Sequence, residues 1–286
     1  MSKVVSAIFT LLFIIFSEKV KLGAKAGIES GIFVLFPAIF PYMVISKIFI
    51  KTGGASALSE FTYPLTKKIF RFSPDFSSAY LISLFCGYPT GASLACELEE
   101  KNKPEALRMF LFGNVPGFGF CVSFLGGILK NPKSGLILYL CFAASSIILN
   151  YIFSFALPMK NVIHKNYSFE SLPRAITDSV KESVVSMFYI IGFAVLFSGI
   201  SELACVFIKS TFLTSLISAF LEITTGIPKL TSLPLIVFFT AFSGISVIFQ
   251  SVSFKKDTSV ILKMLFARLL FAIVSVILFL FVKPLT

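Results

Sequence analysis

Residues 233–250 read LPLIVFFTAFSGISVIFQ. The stretch carries no charge, and as a helix it would rise roughly 27 Å, close to the thickness of a bilayer's hydrocarbon core. Yet Ser243 and Gly244 sit at its centre, where an unbroken helix would prefer stronger helix formers. A break at membrane depth frees backbone groups. It survives only where protein or a water-lined cavity surrounds it, because lipid offers those groups no partner. The segment therefore reads as a discontinuous transmembrane helix enclosed by other helices.

The same pattern recurs earlier. Residues 79–94 read AYLISLFCGYPTGASL, an apolar start cut by Gly87, Pro89 and Gly91. Phe85 and Gly87 take the places that Phe242 and Gly244 take in the later segment. Each Gly follows an apolar run and precedes small or polar residues. A charged segment comes next, ELEEKN around Glu97 in one case and SFKKD around Lys255 in the other. A long apolar span closes each half.

The rest of the chain supports a membrane setting. Of 286 residues, 56% are hydrophobic and 14% charged. A soluble domain carries about 25% charged residues, so a water-facing surface could not be built from this composition. The formal net charge is +11. Its lysines and arginines flank apolar runs: Lys19, Lys21 and Lys25; Lys67, Lys68 and Arg71; Lys130 and Lys133; Lys255 and Lys256. They read as headgroup anchors, and no aromatic-interleaved basic patch points to nucleic acid. The five cysteines show no CxxC spacing, and the single histidine, His164, lies in a polar stretch. No metal set, cofactor motif or nucleophile–base pair emerges, so an enzyme is not expected.

Further runs complete an all-α polytopic membrane fold with two structural repeats of interrupted, re-entrant-like helices. Val4–Phe16 reads as a retained, short or tilted first helix, so residues 1–24 form an N-terminal helix and link. Gly27–Ile50 spans, with Pro37 and Pro41 expected to kink it. Residues 52–76 are too polar to span cleanly and suit a re-entrant hairpin or an interfacial helix. Residues 106–129 are apolar but interrupted around GNVPGFG, with Asn114 in mid-helix, and 136–157 make a clean span. Residues 25–157 thus form a first repeat, 158–182 a polar connecting loop, and 183–286 a second repeat. The second holds spans at 184–208, 233–250 and 264–282, the last with Arg268 as its only charge.

Such paired breaks are the pattern of secondary transporters, in which substrate binds where discontinuous helices meet. Half-helix N-termini offer partial positive charge to an anionic group. The competing reading is that the glycines and prolines serve close helix packing. Candidate substrate-binding residues are Tyr88, Thr90, Gly91, Ser93 and Asn114 in the first half. In the second they are Glu222, Thr224, Thr225, Ser243, Gly244, Ser246 and Gln250. Glu222 ends the apolar run SLISAFL, and a carboxylate at membrane depth is costly. It could bind a proton or cation, accept hydrogen bonds from substrate, or simply mark a helix end at the interface. Glu202, in SGISELACVF, is a second candidate, which could equally serve a structural bond between helices.

The motifs LFPAIFPYMVIS, GYPTGASL, FLEITTGI and FSGISVIFQ, in that order, resemble the YlbJ-type (SpoVV) sporulation integral membrane proteins. Those belong to the nucleoside-recognition, or Gate, group, which is distantly similar to concentrative nucleoside transporters. The resemblance covers about residues 25–280. FSGISVIFQ departs from the family's usual FGGLSVHxQ at Ser243 and at Ile248, where His is common. GNVPGFGF departs from the usual NxSPLF. The resemblance implies a two-repeat transporter-like inverted-repeat fold in a bacterial cell membrane, specifically the outer forespore membrane. It implies movement of dipicolinic acid into the forespore during sporulation. A nucleoside or other small-molecule permease, and a non-transporting sporulation membrane assembly protein, are the alternatives. Expected partners are the small-molecule substrate, the lipid bilayer, a coupling ion (H+ or Na+) and a second copy in a homo-oligomer, with no cofactor.

Overall fold

A computed structural model describes residues 2–100, 102–155, 169–255 and 257–282. Among these residues the chain forms helices and no strand. Five helical stretches are long and apolar enough to cross a bilayer: Ser17–Lys51, Pro132–Ser154, Leu172–Cys205, Leu233–Val252 and Val260–Val282. The chain is an all-α polytopic membrane protein. Large apolar side chains on its outside, such as Phe33, Phe188, Phe266 and Phe281, face where lipid would lie.

The order begins with α1 (Ser2–Ile15), α2 (Ser17–Ser30) and α3 (Phe36–Lys51). Ahead of the prolines predicted to kink the second apolar run, a π-helical turn at Gly31–Leu35 joins α2 to α3, directly before Pro37. The wider turn re-registers the carbonyls where proline supplies no N–H, so one rod continues through. Gly23, Gly27 and Gly31 form a small-residue stripe along this rod. A Cβ on Gly27 would come within 2.6 Å of Val195 Cα, and one on Gly31 within 2.9 Å of the Ile191 side chain. Their bareness lets the rod lie directly on the backbone of a later helix, as small residues do between membrane helices.

The mixed stretch after Lys51 is a helix, α4 (Gly54–Phe70), and α5 (Pro74–Cys86) returns against it. The chain then breaks at Gly87, whose φ is +74°, and passes a cis Tyr88–Pro89 bond. It resumes as α6 (Thr90–Glu97) and α7 (Lys103–Phe112). Glu105 fixes the α5–α7 junction by accepting from Ser73 N at 2.8 Å and Ser73 Oγ at 2.9 Å. Residues 114–117 are unwound. Asn114 therefore lies outside any helix, not in mid-helix as its apolar surroundings suggested; Pro116 beyond it cannot donate to a continuing ladder. A π-helical turn (Phe120–Leu125), α8 (Gly126–Ile128) and α9 (Pro132–Ser154) follow.

The polar link predicted over 158–182 is only partly a link. Residues 156–168, His164 included, lie outside the described residues. From Leu172 onward the chain is helical, within α10 (Leu172–Cys205). Pro173 suits its first turn, and Ala175, Ser179 and Ser183 keep one small face buried, so the polar composition marks the solvent face of a helix longer than the bilayer. This is the helix on which the glycine stripe packs.

Then come α11 (Thr211–Leu221), α12 (Ile223–Gly226), α13 (Leu233–Phe242), α14 (Gly244–Val252) and α15 (Val260–Val282). The run 233–252 is broken where its sequence required. Ser243 has φ +71° and Gly244 φ +68° between α13 and α14. Its apolar window is 78% buried, against 28–44% for the other four spans. The broken helix is the enclosed one, as the physics of a membrane break demands.

Candidate functional site

Both breaks lead into one polar interior. The first is held by Tyr88 N, which donates to Val115 O at 2.7 Å. A Cβ on Gly87 would strike the Gly117 backbone, so the break and the unwound segment 114–117 interlock. Asn114 Nδ2 then donates to Ser251 Oγ of α14 at 2.7 Å. That bond joins the first-half break to the helix beyond the second one, and α6 packs on α14 beside it.

Glu222 stands between α11 and α12 in extended backbone, φ −141° and ψ 116°. It is 1% exposed. Its Oε1 caps α12, accepting from Thr224 N at 3.0 Å. Thr224 Oγ1 lies 2.8 Å from Oε1 and 3.1 Å from Ser30 Oγ, and its single proton serves one of them at a time. Ser246 stands beside the carboxylate and accepts from Gln250 Nε2 at 3.1 Å. Gln250 Nε2 also approaches Ile190 O, in the middle of α10, at 3.4 Å. Glu222 is thus buried between two helices, ending α11 and capping α12.

The interior is under-satisfied. Buried atoms with no hydrogen-bond partner among the described residues include Tyr88 Oη, Thr90 Oγ1, Asn114 Oδ1, Glu222 Oε2, Thr240 Oγ1 and Ser243 Oγ. Each such atom costs about 1–3 kcal/mol in a dry interior, so a cluster of them at two helix breaks is unusual for a passive core.

Arg268 is the residue that sequence reading left outside the site. It is fully buried in α15 and reaches Leu111 O through Nη2 at 3.3 Å. Its Nε and Nη1 have no partner among the described residues. Its only sequence signal is that it is the single charge in the last span; its bond to Leu111 O joins residues 157 positions apart.

Not every candidate joins the cluster. Gly91 packs tightly on Gly113 and Asn114 and shapes the break. Ser93 Oγ donates to Glu97 at 3.1 Å and lines a narrow slot of about 80 Å³ with Lys47, Lys51, Thr90 and Glu182. That slot shares Ile50, Leu94 and Glu97 with a groove of about 600 Å³. Thr225 contacts Ser198 Oγ at 3.3 Å and lines a separate cleft of about 490 Å³ with Ser30, Thr224, Glu202 and Lys229. Glu202 pairs there with Lys229 at 3.0 Å. The slot meets α10 at Ser186 and the cleft meets it at Ser198, about 18 Å apart along the axis. Ile190, with Gln250 against it, lies between. No group of three or more His, Cys, Asp or Glu side chains among the described residues is placed to hold a metal ion.

Comparison of the chain with protein-family models, with curated proteins and with solved structures returns no match.

Proposed function

We propose that the protein is a small-molecule permease whose substrate sits between the two broken helices. One observation carries the reading: Tyr88, Thr90 and Asn114 at the first break, Thr240 and Ser243 at the second, and Glu222 all hold buried polar atoms with no hydrogen-bond partner among the described residues, and the Asn114–Ser251 bond ties the two breaks together. A folded core gains nothing from leaving such groups unmet, whereas a site that must accept and release a polar solute needs them. The two approaches to it support the same reading. One enters by Thr224 and Ser30, the other by Thr90 and Ser93, at separate levels of α10. A rocking motion about the glycine-stripe contact would expose the cluster to each in turn.

The substrate class follows the motif resemblance: a small anion, dipicolinate, moved across the outer forespore membrane during sporulation. Thr90 at the start of α6 and Ser243 at the start of α14 place hydroxyls at helix N-termini, which suit carboxylates. The two breaks are proposed to be equivalent parts of two inverted repeats. The test is uptake into proteoliposomes. Pyridine-2,6-dicarboxylate should enter saturably, with uridine a poor competitor. Absence of flux for both solutes in well-folded protein would refute the reading.

A further inference from the structure

We infer that Arg268 is the anion-binding residue of this site and that its ligand is a small carboxylate held on the guanidinium edge that Leu111 leaves free. The inference rests on the permease reading and adds to it a residue and a charge.

A guanidinium has five N–H donors and cannot be neutralised at ordinary pH. In the membrane interior an unpaired one is expensive. Arg268 spends one donor on Leu111 O, at the C-terminal end of α7, where helix carbonyls lack partners. Capping that helix is its structural task, and the Phe271 ring, 5.5 Å from the guanidinium carbon, adds a weak contact. Neither supplies a counter-charge. Among the described residues no salt bridge includes Arg268, and both Nε and Nη1 are unmet.

The geometry of the fork decides what fits. Nη2 has two N–H groups, one beside Nε–H and one beside Nη1–H. Whichever of them Leu111 accepts, the other remains paired with a free neighbour. One two-toothed edge is therefore always open, and that edge matches a carboxylate in bidentate fashion. The bond also places Arg268 against Leu111 O, three residues ahead of Asn114, which starts the unwound segment of the first break. The single positive charge of Arg268 balances one carboxylate of a dicarboxylate and leaves the second to hydroxyl and backbone N–H donors at the starts of α6 and α14.

The experiment measures binding by purified full-length protein in detergent, by thermal shift and calorimetry. The probes are pyridine-2,6-dicarboxylate and its neutral dicarboxamide, which differ in charge and little in shape. Wild type should prefer the dicarboxylate at least tenfold. Arg268→Gln should erase that preference while binding the dicarboxamide as before, and Arg268→Lys should restore part of it. A wild type that does not distinguish the probes, or an Arg268→Gln protein that still does, overturns the inference. Should Arg268→Gln fold poorly, Arg268→Lys and the wild-type comparison still decide it. Discrimination by wild type with no flux into vesicles would sink the permease reading and leave the anion site standing.

Discussion

Asn114 and Ser251, 137 positions apart in the chain, share a 2.7 Å hydrogen bond between the unwound segment of one half and the far side of the break in the other. Both residues are completely buried. The bond makes the two breaks one mechanical unit. Asn114→Ala and Ser251→Ala should each lower stability by about 1 kcal/mol or more. In the double variant the losses should fall short of additive by roughly 1 kcal/mol. Denaturation of the four proteins in detergent reads the coupling directly. Additive losses would mean that the bond is incidental.

Glu222→Gln keeps shape and hydrogen-bonding capacity but removes the charge. Because Oε1 acts as a cap and Oε2 faces the cluster, the variant should fold with less than about 1 kcal/mol lost, yet move substrate at least tenfold more slowly. Uptake alongside a melting curve separates the two effects. Unchanged uptake would return Glu222 to a purely structural role.

Ser243 occupies left-handed backbone that costs a side chain about 1 kcal/mol relative to glycine. Ser243→Gly should therefore raise stability by about that amount while removing an unpartnered hydroxyl from the break. The expected result is a higher melting temperature with slower transport, the usual exchange at a functional site. A stabilised variant with full uptake would show that the hydroxyl does not touch substrate.

Lys47 and Lys51 grip Glu182 at 3.1 and 2.7 Å above the narrow slot that leads to Thr90. Glu182 is half exposed, so the contribution to stability is at most about 1 kcal/mol, small enough to open and close in operation. Glu182→Gln should speed entry from that side severalfold. Raising the salt concentration should speed wild type and leave the variant unchanged, since screening weakens only the charged latch. Salt-independent wild-type uptake would rule the latch out.

Gly27→Val should be poorly tolerated. Its Cβ would meet the backbone of Val195, which no rotamer change relieves. A cost of about 3 kcal/mol or more is expected, visible as lost monodisperse protein on size exclusion. Normal yield would mean that the two helices lie farther apart.

Much of this was legible because membranes penalise exceptions. A glycine in mid-run without charges, or a glutamate ending SLISAFL, invites the reading of a break or a buried carboxylate; the structure has the break at Ser243–Gly244 and buries Glu222. What failed was composition-based reasoning at the membrane's edge. Residues 172–182 look like a loop because their outward face is polar, although their small inward face continues α10. Ser93 and Thr225 carry the same hydroxyl chemistry but line the slot and the cleft, a placement that no local pattern encodes. Arg268 is visible as a charge; its bond to Leu111 O is purely tertiary. Gly23, Gly27 and Gly31 differ in no local way from other glycines of the chain; only their contacts with α10 make them a packing stripe.

The enclosure of the broken helix bears on biogenesis. With a mean hydropathy of 2.0, the run 233–252 is apolar enough to be released sideways from the insertion machinery into lipid. There, however, Thr240, Ser243, Ser246 and Gln250 would confront hydrocarbon, and nothing would hold the Ser243–Gly244 break open. Residence in lipid must be brief. Maturation of this protein therefore includes a step within the membrane plane, in which that segment exchanges lipid for α6, α10 and α15, driven by packing and polar pairing because hydrophobicity no longer distinguishes the two surroundings. A chaperone or insertase that shelters the segment at that moment would control how much active protein a cell makes.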